Sequence, residues 1–436
     1  ARVIGTVRPS VSWVLSGYSI VFAAVLLTSG RLADRYGRKR MYHLGLLLFV
    51  FASALCGLAP ELWILIAARA LQAIGAAFIF PASLALALAE FPMERRSTAL
   101  AVWGIVGASA AAAGPTLGSL ILQIDHDWGW RLAFMVNVPI GLTGYVFGRR
   151  LLKESSDPNA TGVPDPASIV SGVLAVGLIA LAFTESDRWG FIGPKALTAY
   201  AVSAVLLAIF IWRCRVARLP VLELSMLRQR AFTTASAAGL LFAIPFYGSL
   251  VCDITFLLRE WKYSVLAAGV ASSLTPASSI IASRITGRLC DKYSHRPVLV
   301  PATALLAISA FGRIWLLHTR AQYWSHFAPL LILTGLGIGT LVPGLQSAAV
   351  KYLPMGRMAM GSAFYTTIRQ LGSGLAVAIT VALISRRGHS PMDNYRATFV
   401  LHGIVAVLSV AVIALHRPPA DTSHAAHTPL LASASD

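Results

Sequence analysis

Apolar residues along this chain gather into long unbroken runs, separated by short polar stretches rich in Lys and Arg, with little alternation from one residue to the next. Thirteen such runs fall at residues 11–30, 41–59, 62–83, 98–122, 132–147, 167–183, 196–212, 231–251, 266–285, 298–317, 327–350, 360–384 and 398–415. Most approach the roughly 20 residues that a helix needs to cross a bilayer. Membrane-barrel strands would alternate apolar and polar positions. A helix instead satisfies every backbone group within its own segment, as lipid demands. The pattern predicts an all-α polytopic membrane protein with thirteen helices in view.

Composition supports this reading. Of 436 residues, 56% are hydrophobic and 12% charged, with mean hydropathy +0.70, against roughly 25% charged in soluble domains. A soluble globular protein is excluded. The net charge of +18 would suggest nucleic-acid binding in a soluble chain, but here its distribution matters more. Twenty-one of the 36 Lys and Arg fall in loops on one side of the runs and eleven on the other, while Arg69, Arg284, Arg313 and Arg369 lie inside runs. By the positive-inside bias the richer side is cytoplasmic, which puts the C-terminus inside and Ala1 outside. An outside start without a signal peptide leads to the expectation of one further helix upstream, fourteen in all. The predicted setting is the cell membrane, with lipid as partner, no nucleic acid, and a monomer as the working unit. Cys56, Cys214, Cys252 and Cys290 show no ligand spacing and read as small apolar residues. No phosphate-binding loop is present, which argues against an ATP-driven pump. No cofactor is expected; the driving force would be a proton gradient.

The chain repeats itself. The segment 30–39, GRLADRYGRK, returns 257 residues later at 287–296 as GRLCDKYSHR, and Gly75 and Pro81 return as Gly337 and Pro343, 262 residues on. Two halves of like polarity point to a transporter built from parallel repeats, with substrate held between them near mid-membrane. The organisation predicted is a first half at 1–148, a linker at 149–166, two inserted helices at 167–212, a linker at 213–230, a second half at 231–416 and a tail at 417–436.

Certain residues break the apolar pattern. In the first repeat a tight turn would need Gly30 and Gly37. Asp34 could cap the next helix, and Arg35 and Arg38 could meet lipid headgroups. The second copy keeps Gly287 and Asp291 but has Ser294 and His295 where Gly37 and Arg38 stand. Arg69 sits well inside its run, where a cation costs ~3 kcal/mol on insertion scales and needs a partner; Gln72 shares its face. The later half has Leu331 at the matching place, which predicts this chemistry for one half only. From Gly107 to Ser119 nearly all residues are small, which suits close helix contact, and Pro115 can bend the helix. Asp253, just past the run 231–251 and near the outer end of its helix, is the main acid of the membrane region: either a carboxylate that takes a proton or faces a cation, or a solvated interfacial group. Arg369 is a second inward-facing charge. His402 reads as a packed residue.

These segments resemble the major facilitator superfamily. Residues 30–39 match its loop motif G-x-L-a-D-r-x-G-r-k, and Arg69, Gln72 and Gly75 resemble its fourth-helix motif, with Ala73 in place of a glycine. Gly114, Pro115 and Gly118 resemble its antiporter motif, with Ala110 and Ser119 replacing glycines. The segments around Trp130 and Arg131, Thr184 to Gly190, and Arg369 to Gly372 are similar to the fourteen-helix drug/proton antiporter branch. The resemblance implies two six-helix repeats plus two inserted helices, and a proton-coupled antiporter exporting amphipathic, often cationic, small molecules without bond chemistry. It assigns a gating role to Asp34, proton coupling to Arg69, and a leak-sealing bend to Pro115. An exporter of one endogenous metabolite, or a transporter-like sensor, would share the same fold.

Overall fold

The computed structural model describes residues 8–91, 128–156, 165–218, 224–353, 358–386 and 390–416, with single positions among 102–124 and at 220, 222 and 388. The first half contributes α1 (Arg8–Tyr36), α2 (Arg38–Leu58), α3 (Leu62–Ala89), α4 (Gly129–Met135) and α5 (Asn137–Leu151). Next come α6 (Pro166–Thr184) and α7 (Pro194–Val216). The second half holds α8 (Arg230–Arg259), α9 (Val265–Ser272), α10 (Leu274–Tyr293), α11 (Arg296–Leu316), α12 (Ala328–Val350), α13 (Met358–Ile384) and α14 (Pro391–Ala414). No strand occurs among the described residues, and ten helical stretches there are long and apolar enough to cross a membrane. Helices cover each predicted run except 98–122, which lies largely outside the described residues, Pro115 included.

Two predicted runs divide. The run 132–147 passes through a junction at Val136, and 266–285 through one at Ser273. Each junction precedes a proline by three residues, Pro139 and Pro276, whose missing N–H and bulky ring interrupt the helical ladder one turn back.

The sequence repeat is also a packing repeat. A Cβ added to Gly75 on α3 would stand 2.7 Å from the Gly45 carbonyl and 2.6 Å from the Phe49 nitrogen on α2. One added to Gly337 on α12 would stand 2.8 Å from the Ala302 carbonyl and 2.9 Å from Leu306 on α11. Ala302 and Leu306 lie 257 residues after Gly45 and Phe49. The pairs α2/α3 and α11/α12 are therefore copies, each drawn together at a glycine.

Within the first half α3 packs on α1 and α2, and α5 on α2; within the second, α8 packs on α13 and α14, α10 on α12, and α11 on α14. Helix α1 crosses to α13, and α6 lies on both, so it covers part of the seam between the halves. Helix α7 packs mainly on α6 and turns Leu197, Val202 and Val205 outward, as a lipid-facing helix should. Asp165 caps α6 through the Ser168 N–H and accepts from Arg213 of α7, which ties the two inserted helices together. All four cysteines are buried.

The repeat motif departs from its expected form. The expected loop is helical up to Tyr36, and Gly30 and Gly287 lie inside helices; only Gly37, at φ +102°, makes the turn. Ser294, its counterpart, takes φ +69° without being a glycine. Nor does Asp34 cap α2 as expected, because Glu154 does so, accepting from the N–H groups of Lys39 (2.9 Å) and Arg40 (3.2 Å). Lys39 returns the contact, its Nζ donating to the last carbonyls of α5 at Arg149 and Leu152.

Candidate transport cavity and charged sites

Asp34, buried in the last turn of α1, accepts at Oδ1 from Arg38 Nε (2.9 Å) and Nη2 (2.8 Å). Arg35 lies over the Tyr36 ring at 4.9 Å. In the second copy Asp291 is much more exposed and meets Lys351 at 3.6 Å. His295, in the place of Arg38, turns inward instead, where its Nε2 meets Ser347 Oγ at 3.1 Å. Burial, with Lys351 and His416 nearby, pushes the His295 imidazole down to about 3. The two loops thus share a backbone path but not an ion pair.

Arg69 is compensated by neutral groups. Its Nε donates to the Val14 carbonyl (3.1 Å) and its Nη1 to Gln72 Oε1 (2.6 Å), while the Tyr18 ring lies 4.1 Å from the guanidinium carbon. Gln72 Nε2 in turn donates to Ser53 Oγ on α2 (2.6 Å). No carboxylate pairs with Arg69 among the described residues.

The second half has its own buried arginine, contrary to the expectation drawn from Leu331. Arg313 of α11, 3% exposed, donates from Nε to Asp253 Oδ1 (3.1 Å) and from Nη2 to Oδ2 (2.9 Å). It also donates to Ser309 Oγ (2.7 Å) and Thr334 Oγ1 (3.2 Å). Asp253, 5% exposed, is not the solvated interfacial group that was one reading of it. A serine meets a polar residue across both pairs: Ser53 with Gln72 across α2/α3, and Thr334, the counterpart of Gln72, with Ser309 (2.7 Å), one place before the counterpart of Ser53, across α11/α12. What differs is the helix that supplies the arginine.

A cavity of about 330 Å³ lies between the halves, within the range of ligand pockets. Phe80 and Trp103 approach it from the first half, Phe246 and Tyr247 from α8, and Leu331 and Ile338 from α12. Serines and Thr275 of α9 and α10 add hydroxyls. Among the described residues two charged ones reach its wall, Asp253 and Arg369, whereas Arg313 stands behind Asp253. Arg369 Nη1 donates to the Tyr247 hydroxyl (3.0 Å). An apolar, aromatic chamber with a few polar groups suits an amphipathic guest.

The structure therefore gathers Asp253 and Arg369 at one cavity and leaves the Arg69–Gln72 pair in the first-half bundle. Around Gly114 and Gly118 no atom of the described residues lies within 4 Å of an added Cβ, and most of the small-residue run expected to pack there lies outside the described residues. His402 packs inside the second half with its Nε2 3.2 Å from Thr380 Oγ1. Sequence reasoning missed Arg313, Glu154 and Tyr247. A charge within an apolar run was the available signal for Arg313; for Glu154, 115 residues from its partner, there was none.

The methylenomycin A resistance protein of Bacillus subtilis (strain 168) is 30% identical over 375 residues, covering 86% of this chain and 79% of that protein. The drug efflux pump JefA of Mycobacterium tuberculosis is 30% identical over 421 residues, covering 94% and 80%. Among solved structures, the human organic anion transporter MFSD10 superposes with a TM-score of 0.65 at 16% identity, over 92% of this chain and 83% of that one, a likeness of fold. The Major Facilitator Superfamily model matches residues 2–377 and again 250–434. With two helical repeats around a central cavity, and relatives aligned over most of both lengths, the chain belongs to the Major Facilitator Superfamily.

Proposed function

We propose that this transporter exports amphipathic small molecules across the cell membrane in exchange for entering protons, as a drug-efflux antiporter. The observation that carries the reading is the aromatic cavity between the halves with Asp253 in its wall. The resistance and efflux proteins among its relatives support it. A carboxylate there can hold a proton in one phase of the cycle and release it in another, as alternating access requires. The face carrying the Asp34 and Asp291 loops is cytoplasmic, as is the C-terminus. Asp34 and Arg38 serve the gate on that side, and Arg69 with Gln72 contributes to coupling from the first half. No bond is made or broken, and no cofactor takes part.

The test begins with a growth-inhibition panel in an efflux-deficient host, which supplies the substrate. Proteoliposomes with an acid interior should then concentrate that substrate, and a protonophore should abolish the accumulation. Arg69→Ala should bind substrate and lose uphill accumulation. Indifference of the wild type to the gradient would refute antiport.

A further inference from the structure

The Asp253–Arg313 pair lies between two spaces. On one side is the central cavity; on the other, Arg313 borders a second cavity of about 10 Å³ together with Ser249, Thr334 and His402. That volume, with several polar neighbours, is close to the minimum for one water molecule. The carboxylate thus stands between the chamber and the arginine that grips it. Arg313 has a second set of partners that do not depend on Asp253. Ser309 and Thr334 are themselves held by the Leu330 carbonyl, at 2.8 and 2.9 Å, so they form a fixed rest for the guanidinium.

We propose that Arg313 is the positioning residue of the proton site. It holds charged Asp253 by a two-point grip at the cavity wall, and stays behind on Ser309 and Thr334 when Asp253 takes a proton and lets go. The two states differ by one proton on a carboxylate oxygen, and the guanidinium stays charged throughout. A planar guanidinium matches a carboxylate at two points, so the grip fixes where the charged form points. Loss of the grip frees the acid to turn toward the chamber. This rests on the antiport reading for its use in transport, though not for the proton-dependent grip itself.

The first half supports the assignment by its position. The residue 257 places before Arg313 is Cys56, and the residue 262 places after Arg69 is Leu331. Each half places one arginine beside the serine and polar residue that join its repeated helix pair, from α3 in one case and α11 in the other. Of the two, Arg313 is the one with a carboxylate partner among the described residues. Among the described residues, the other titratable or charged groups around Asp253 are Cys252 and Tyr247 on its own helix, Arg369 of α13 across the cavity, and His402 of α14 on the far side of Arg313. Helices α10 and α12 present hydroxyls and apolar groups at the cavity.

The experiment needs no substrate. Infrared difference spectra of the purified full chain would follow the carboxylic C=O band on acidification, with Asp253→Asn identifying the band. In Arg313→Gln and in Arg313→Lys, which keeps the charge but loses the fork, the midpoint should rise, by one pH unit or more in the glutamine variant, a tenfold gain in proton affinity. Removing both charges, Asp253→Asn with Arg313→Gln, should leave a folded protein without the band. Unchanged midpoints, or the absence of any band lost with Asp253→Asn, would overturn the proposal; if Arg313→Gln does not fold, Arg313→Lys decides it. A shifted midpoint in a protein that ignores a pH gradient would support the positioning role and refute only antiport.

Discussion

The turn between α1 and α2 allows a prediction in which two substitutions must interact. Glu154 accepts two N–H groups at the start of α2, where a capping side chain contributes about 0.5–2 kcal/mol and the helix dipole adds a few tenths. Its side chain is 38% exposed, so solvent screening holds the figure near the middle of that range, about 1 kcal/mol. Gly37→Ala should cost more, for two reasons. Its φ of +102° with ψ of 129° disfavours any side chain, at about 1–3 kcal/mol. Its new Cβ would also stand 2.8 Å from the Glu154 carboxyl carbon, which forces the cap away and loses its ~1 kcal/mol as well. With Glu154→Ala already present, only the backbone term remains. The double variant should therefore be more stable than the sum of the single losses implies, by about 1 kcal/mol. Equilibrium unfolding of the four proteins in mixed micelles measures this coupling. Strict additivity, or a neutral Glu154→Ala, would refute the assignment of Glu154 as the cap.

Ser294→Gly should stabilise the protein by about 1 kcal/mol or more, because serine there holds φ +69° and ψ 172°, a region suited to glycine; the same micelle assay would show it, and a loss of stability would mean the hydroxyl matters more than the backbone. Asp34→Asn should reduce transport far more than Asp291→Asn at matched expression, since Asp34 is buried against Arg38 while Asp291 is largely exposed; equal losses would contradict this. His295 is held neutral with its pKa lowered from 6.5 to about 3, so the unfolded chain binds a proton the folded one refuses. The stability it secures is complete above about pH 6.5 and is lost as pH falls toward 3, and His295→Asn should flatten the unfolding curve in that window; an unchanged slope would count against burial of the neutral ring.

The helices were legible because lipid imposes one rule on every segment, that backbone groups be satisfied within it. Pro139 and Pro276 were visible too, but whether a proline ends a helix or only bends it depends on what replaces the lost hydrogen bond: α3 runs on past Pro81 and α8 past Pro245. The Asp34 motif was recognised, yet its geometry was misread. Sequence gives adjacency along the chain, whereas the cap of α2 comes from Glu154 beyond α5. Arg369 stood out as a charge within an apolar run and Asp253 as one at the end of another, and their meeting at one cavity needed the packing of α8 against α13.

Arg313 shows why a repeat read position by position can mislead. Aligning the halves pairs Arg69 with Leu331 and so predicts chemistry on one side only. Side chains, however, act at points in space, and two neighbouring helices can reach the same point. The α2/α3 and α11/α12 pairs are pinned at equivalent glycines, which puts corresponding stretches of each pair side by side. An arginine on either helix can then extend toward the serine and polar residue between them, from Arg69 through Gln72 to Ser53 in one half and from Arg313 to Ser309 and Thr334 in the other. The cost of burying a cation is met differently: by an amide, a carbonyl and an aromatic ring around Arg69, and by a carboxylate and two hydroxyls around Arg313. On the reading proposed above, protonation switches only the second arrangement, because among these partners only Asp253 is a carboxylate that can take a proton. The symmetry of the fold thus supplies two like positions, and the placement of one acid beside one of them is what the proposed proton switch rests on.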